Sequence, residues 1–88
     1  MTTMDRNEIL DELKKVLNPY TENKEMLSGI NENTDLINDL KINSANMVDI
    51  IIDAESKYHI EIDFESAEKM YNVGNLIEVI IDKMKHPK

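Results

Sequence analysis

A long stretch without periodicity follows the first apolar stripe of this chain, and it limits the folds open to it. Ile9, Leu10, Leu13, Val16 and Leu17 recur at helical spacing from about Asp5. Asn18-Pro19 ends that run, because proline cannot continue a helix. From Pro19 to Asn43 no comparable stripe follows, and a crossing of that length in a small domain has to be pinned down. Glu22 to Leu27 is expected to form a helical turn ended by Gly29. Leu27, Ile30, Leu36, Ile37 and Leu40 are expected to anchor the stretch to the core. Periodicity then predicts a helix from Ser44 to about Tyr58 and a short one from about Phe64 to Met70, capped by Asp63. A last helix follows Asn72, with Val73, Leu76, Ile77, Ile80 and Met84 on one stripe and Lys83 and Lys85 at its negative end. The expectation is one all-α domain over residues 1–88: a small four-helix bundle with a short third helix and a long loop between helices 1 and 2. Residues 85–88 are expected to form a flexible tail.

The 88 residues contain no cysteine, so neither disulfides nor thiolate metal sites are available. His59 and His86 lie too far apart in sequence for a ligand pair, and no metal site is expected. No apolar run approaches a membrane span, and no signal peptide is evident, so a cytoplasmic protein is expected. The formal net charge of −8 argues against nucleic acid, whose phosphates need clustered Lys and Arg. It favours basic partners drawn by long-range attraction. Between Asp35 and Glu68 only Lys41 and Lys57 offset nine acids, so most of that charge surrounds the helix beginning at Ser44.

That helix carries apolar residues on two sides. At 100° per residue, Met47, Ile50, Ile51, Ala54 and Tyr58 share one face, which belongs in the core. Ala45, Val48 and Ile52 fall well away from it, beside Asp49, Asp53 and Ser56. A helix lying on a small domain cannot bury every side, so Val48 and Ile52 are expected at least partly exposed and rimmed by acid. Such a strip suits a basic, apolar partner; the competing reading covers it with the long loop or the third helix.

Ser44, at the start of this helix, has no catalytic partner in sequence. His59 falls at the opposite end of the helix, and no G-x-S-x-G is present. Asn31, Asn33 and Asp35 alternate like the opening of a calcium loop, but Leu36 and Ile42 occupy the positions that need glycine and glutamate. The six methionines read as core fillers plus the initiator. Two roles remain for Ser44. It can share a plain capping role with Asn43, or it can carry a phosphate ester, which a helix N-terminus stabilises through free N–H groups and its dipole.

At this point the residues resemble the acyl carrier protein family. The family's attachment signature is an Asp-Leu, a short turn, then Asp-Ser-Leu opening an acidic helix. Here it reads Asp39-Leu40-Lys41-Ile42-Asn43-Ser44-Ala45. The similarity runs upstream through Asn33-Thr34-Asp35-Leu36. Downstream it continues through Val48-Asp49, Tyr58-His59-Ile60-Glu61-Ile62, Glu65-Ser66-Ala67-Glu68-Lys69-Met70 and Asn72-Val73-Gly74-Asn75-Leu76-Ile77.

The resemblance implies that Ser44 carries 4′-phosphopantetheine, attached by a phosphopantetheinyl transferase using coenzyme A. The thiol of that arm would hold acyl groups as thioesters for enzymes of fatty-acid, lipid or polyketide-like biosynthesis, and the monomeric protein itself would catalyse nothing. It further implies that Asp39, Asp49, Asp53 and Glu55 meet Arg and Lys of acyl-processing enzymes (synthases, acyltransferases or ligases), while Ala45, Val48 and Ile52 meet transferase or partner surfaces. Ile51, Ala54, Ile62, Ala67, Leu76 and Ile77 would line the acyl pocket. Asn43 and Ala45 depart from the signature and suggest a specialised carrier. Two alternatives stand beside this reading: an unmodified acidic docking module, and an aminoacyl or peptidyl carrier.

Overall fold

Five α-helices make up the computed structural model, which describes residues 5–85; of the expected tail over residues 85–88, Lys85 is the last residue of a helix and residues 86–88 lie outside the described residues. They are α1 (Arg6–Leu17), α2 (Lys24–Ser28), α3 (Met47–Tyr58), α4 (Phe64–Ala67) and α5 (Val73–Lys85). The described residues contain no strand, only an isolated antiparallel bridge between Asp35 and Asn72. The domain is therefore helical, as the periodicity predicts.

Local chemistry sets the helix ends. Asp5 caps α1 through Asn7 N, and Glu8 returns a bond to Asp5 N, the reciprocal pattern of a capping box. Asn23 caps α2 through Met26 N, and Gly29 ends it, as expected. Asn72 and Asn75 cap α5 in the same reciprocal way: Asn72 Oδ1 accepts from Asn75 N at 2.8 Å, and Asn75 Oδ1 accepts from Asn72 N at 3.1 Å. α3 ends on His59, which adopts the left-handed conformation (φ 57, ψ 48). Its own N–H and that of Ile60 both bond to Glu55 O.

The three long helices, α1, α3 and α5, each pack against the other two. Ile9, Leu13 and Leu17 from α1, Ile50 and Ala54 from α3, and Val73, Leu76, Ile77 and Ile80 from α5 form the fully buried centre. At about 1.5–3 kcal/mol for each large side chain removed from water, this shared core is the main source of stability. Tyr58 of α3 reinforces it by donating to Glu12 Oε1 of α1 at 2.7 Å. Burial, then that hydrogen bond, push the Tyr58 phenol far above its ordinary value.

The long crossing is held as expected at Leu27, Ile30, Leu36 and Leu40, all buried, and Ile42 joins them. Ile37 departs from expectation, being 39% exposed. Asp39 N and Leu40 N both bond to Asp35 O, so the segment winds like a single helical turn. Leu36 and Leu40, four apart, then share its inner side, and Ile37 is rotated outward.

Backbone bonds stitch this crossing to the start of α5. Gly74 N donates to Glu32 O at 2.8 Å, Val73 N to Thr34 O at 2.9 Å, and Leu36 N to Tyr71 O at 3.1 Å. A Cβ placed on Gly74 would lie 2.9 Å from Glu32 O. Arg6 closes the same corner, bonding through Nε and Nη2 to Glu32 and through Nη1 to Glu78. The Glu32 bond, then the Glu78 bond, raise the Arg6 guanidinium well above its ordinary range.

Two substitutions test these features by thermal or denaturant unfolding. Gly74→Ala is expected to destabilise by about 1–3 kcal/mol, the usual cost of forcing a group into a filled space. His59→Gly is expected to stabilise by a few tenths to about 1 kcal/mol, because it relieves a left-handed backbone at the expense of some unfolded-state entropy.

Candidate functional site

Ser44 opens a tight 3₁₀ turn, Ser44–Asn46, that leads directly into α3. The helix expected from Ser44 is thus present, with its first turn overwound. Asn43 Oδ1 accepts from Ala45 N at 2.8 Å, and Asn46 N donates to Asn43 O at 2.8 Å. The asparagine therefore does the capping, and Ser44 is left exposed with no hydrogen bond to its hydroxyl among the described residues. Lys41, three residues before Ser44, takes a positive φ of 57 and turns the chain into this position. His59 lies beyond the far end of the twelve-residue α3, about 18 Å along its axis at 1.5 Å per residue. No general base from His59 reaches Ser44.

The outer side of α3 carries the expected strip. Val48 is 61% and Ile52 54% exposed, and Ala45 and Asp49 are exposed beside them. The other three acids assigned to this surface also serve the fold. Asp39 Oδ2 accepts from Asp35 N at 2.9 Å, Asp53 Oδ2 from the Tyr20 hydroxyl at 2.7 Å, and Glu55 Oε2 from Ile62 N at 2.8 Å. The Asp53 bond is the main reason the Tyr20 phenol titrates above its ordinary value. Asp49 is the acid of this strip that points most freely to solvent.

A groove of about 290 Å³ opens beside Ser44. It is lined from three stretches of the chain: Asp35, Ile37 and Asn38 of the crossing, Ser44 and Met47 at the head of α3, and Ala67, Glu68, Met70 and Tyr71 from the end of α4 towards α5. Among the six residues assigned to an acyl pocket, Ala67 alone borders this groove. Ala54, Leu76 and Ile77 are fully buried in the shared core, Ile62 is buried, and Ile51 is half-buried. Sequence reasoning missed Ile37 and Tyr71. Ile37 carries the hydrophobicity of an anchor, and Tyr71, 68% exposed, has no periodic partner to mark it.

Charge around the groove is fixed by hydrogen bonds. Asp35 Oδ1 accepts from Asn38 N at 2.7 Å and from Ile37 N at 2.9 Å. The Asn38 N–H, with help from that of Ile37, holds the Asp35 carboxyl below its ordinary value, so it stays ionised near neutrality. The α4 helix is only four residues long and is held at its start. Asp63 occupies the capping position but makes no capping bond from its side chain, contrary to expectation. Its carboxylate instead bonds Ser66 and pairs with Lys83 Nζ at 3.1 Å, which ties α4 to α5. The same two contacts lower Asp63 to about 2.

No known protein-family model matches the chain, and no curated protein matches it. Among the described residues no group of acidic or histidine side chains is placed to hold a metal ion, and no helix is long and apolar enough to cross a membrane.

The Asp63–Lys83 tie predicts an acid-side slope in stability. The Asp63 pKa is depressed on folding, so its contribution is complete above the ordinary value of 3.8 and is lost as pH falls towards 2. Thermal unfolding followed between those pH values is expected to show a smaller acid-induced loss in Asp63→Asn. Added salt is expected to shrink the difference, because Asp63 is half exposed and solvent ions reach the pair.

Proposed function

We propose that this chain is an acyl carrier, with Ser44 as the attachment point of a 4′-phosphopantetheine arm. The observation that carries the reading is Ser44 itself: exposed, at the head of α3, with its capping duty taken by Asn43 and with His59 at the far end of the helix. A serine so placed suits modification by another enzyme better than catalysis of its own. A phosphate ester on Ser44 would also be favoured by the positive end of α3. When bound, the arm supplies a thiol that holds acyl groups as thioesters, and the groove beside Ser44 offers it an adjacent apolar surface.

On this reading α1, α3, α4 and α5 are the four helices of a carrier bundle, and α2 is a turn added within its long crossing. A phosphopantetheinyl transferase using coenzyme A would modify the serine. Acyl-processing enzymes with basic surfaces would then dock on Val48, Ile52 and the acids around them, Asp49 foremost. Asn43 and Ala45 would be read by the transferase, the first as a neutral cap and the second as a small exposed contact. The protein would act as a cytoplasmic monomer in fatty-acid, lipid or polyketide-like biosynthesis.

Co-expression with a broad-specificity transferase, followed by intact-mass measurement, tests the reading. One phosphopantetheine adduct is expected per chain, and none in Ser44→Ala. Absence of an adduct with both that transferase and the native one would refute the carrier role.

A further inference from the structure

We infer that Thr21 is a positioning residue for Ser44: its buried hydroxyl pins the Leu40 carbonyl, holds Lys41 in the left-handed conformation and so fixes where the serine is presented. The inference rests on the carrier reading for the reaction served, and on the hydrogen bonds around Lys41 for the residue that serves it.

Lys41 has a φ of 57, a backbone conformation that suits glycine. A residue with a side chain stays there only when its surroundings over-determine it. Here they act on the two peptide planes that flank its Cα, whose relative rotation sets φ and ψ. The plane before Lys41 is held through Leu40 O, which accepts from the Thr21 hydroxyl and, at 3.2 Å, from Glu22 N. Both lone pairs of that oxygen are thereby used. The plane after Lys41 is held through Ile42 N, which donates to Leu36 O at 3.2 Å. Leu40 and Ile42 are themselves buried, which resists rotation of either plane.

Thr21 is well anchored for this duty. It is buried, its N donates to Leu17 O at the end of α1 at 3.1 Å, and its Oγ1 accepts from Asn23 N at 3.1 Å. Beyond Ile42, the Asn43 carbonyl and side chain are taken by Asn46 N and Ala45 N. Ser44 therefore sits between a pinned residue and a closed cap, and a change in the sign of φ at Lys41 moves the serine. In arm transfer, Ser44 Oγ bonds the β-phosphorus of coenzyme A and the phosphate bridge to the nucleotide breaks. Adenosine bisphosphate leaves, and the serine proton passes to a base of the transferase. A misplacement of about 1 Å can cost such a step about a hundredfold in rate. Thr21 touches none of the reacting atoms and acts only through Lys41.

The test measures arm transfer by the transferase on full-length variants whose ¹⁵N spectra show a folded protein. Thr21→Val keeps the shape of threonine without the hydroxyl and is expected to lower kcat/KM about tenfold, while Thr21→Ser keeps the wild-type rate. Lys41→Val and Lys41→Gly lose the same charge but differ in tolerance of a positive φ. The valine variant is expected to show the same loss, and the glycine variant none. The intraresidue HN–Hα NOE of Lys41, strong at positive φ, is expected in wild type and Thr21→Ser and weakened in Thr21→Val. A Thr21→Val protein that keeps this NOE, or loses it yet loads at the wild-type rate, would overturn the proposal. Should Thr21→Val not fold, the exposed pair at Lys41 decides: equal loading of the valine and glycine variants overturns it as well. A wild-type chain that takes up no arm refutes the carrier reading and the positioning role with it, whereas a wild-type chain that loads beside an unimpaired Lys41→Val refutes only the positioning role.

Discussion

The structure depends on a problem at the start of α5. The first N–H groups of any helix have no partner within it, and α5 begins with two buried residues, Val73 and Gly74, where water does not easily serve them. Val73 N and Gly74 N are satisfied instead by the carbonyls of Thr34 and Glu32, which belong to the long crossing. One set of bonds therefore completes a helix and fixes a loop. Leu36 and Leu40 then fall into the core between the long helices, and Arg6 fastens α1 to the same corner. The small side chain at Gly74 is what lets the two backbones approach.

The surroundings of Ser44 follow from that fastening. With the crossing held at Leu36, its neighbours Asp35 and Ile37 line the groove. Met70 is buried and Tyr71 is bonded through its carbonyl to Leu36, so the lining residues that precede α5 are set by the same stitches. On its other flank Ser44 adjoins the outer strip of α3, where Val48 and Ile52 stay exposed because Ile50 and Ala54 already fill the core side. The serine thus stands between two apolar surfaces of different character. One is the exposed strip of Val48 and Ile52, the other the groove lined by Ile37, Met47, Ala67 and Met70.

Much of this was legible in the sequence, for physical reasons that can be named. Helices with strong apolar stripes were readable because burial enforces their period, and their ends because Asp5, Asn23, Gly29 and Asn72 act through neighbours a few residues away. The exposure of Val48 and Ile52 followed from geometry, since one helix cannot bury both faces in so small a domain. What stayed hidden depends on partners distant in sequence. Nothing near Thr34 signals that its carbonyl meets Val73. Nothing near Asp53 or Glu55 signals that Tyr20 and Ile62 N will engage them. Ile37 misleads for a related reason: its hydrophobicity suits an anchor, and only the turn wound on Asp35 shows which way it faces. Of the six positions that the resemblance assigns to an acyl pocket, most belong to the filled core. The recess beside Ser44 is assembled from three separate segments.

Gly74 makes one further connection. The stitches it permits hold residues 32–36 on the start of α5, and Asp35 and Tyr71, which line the groove, belong to the segments so joined. A chain whose crossing had come loose would retain the serine and most of its acidic helix, but the segments that line the groove would no longer be held together. On the proposed carrier reading, an arm on such a molecule would lack the surface beside its serine, so the quality of the carrier would depend on a glycine thirty residues away from the attachment point.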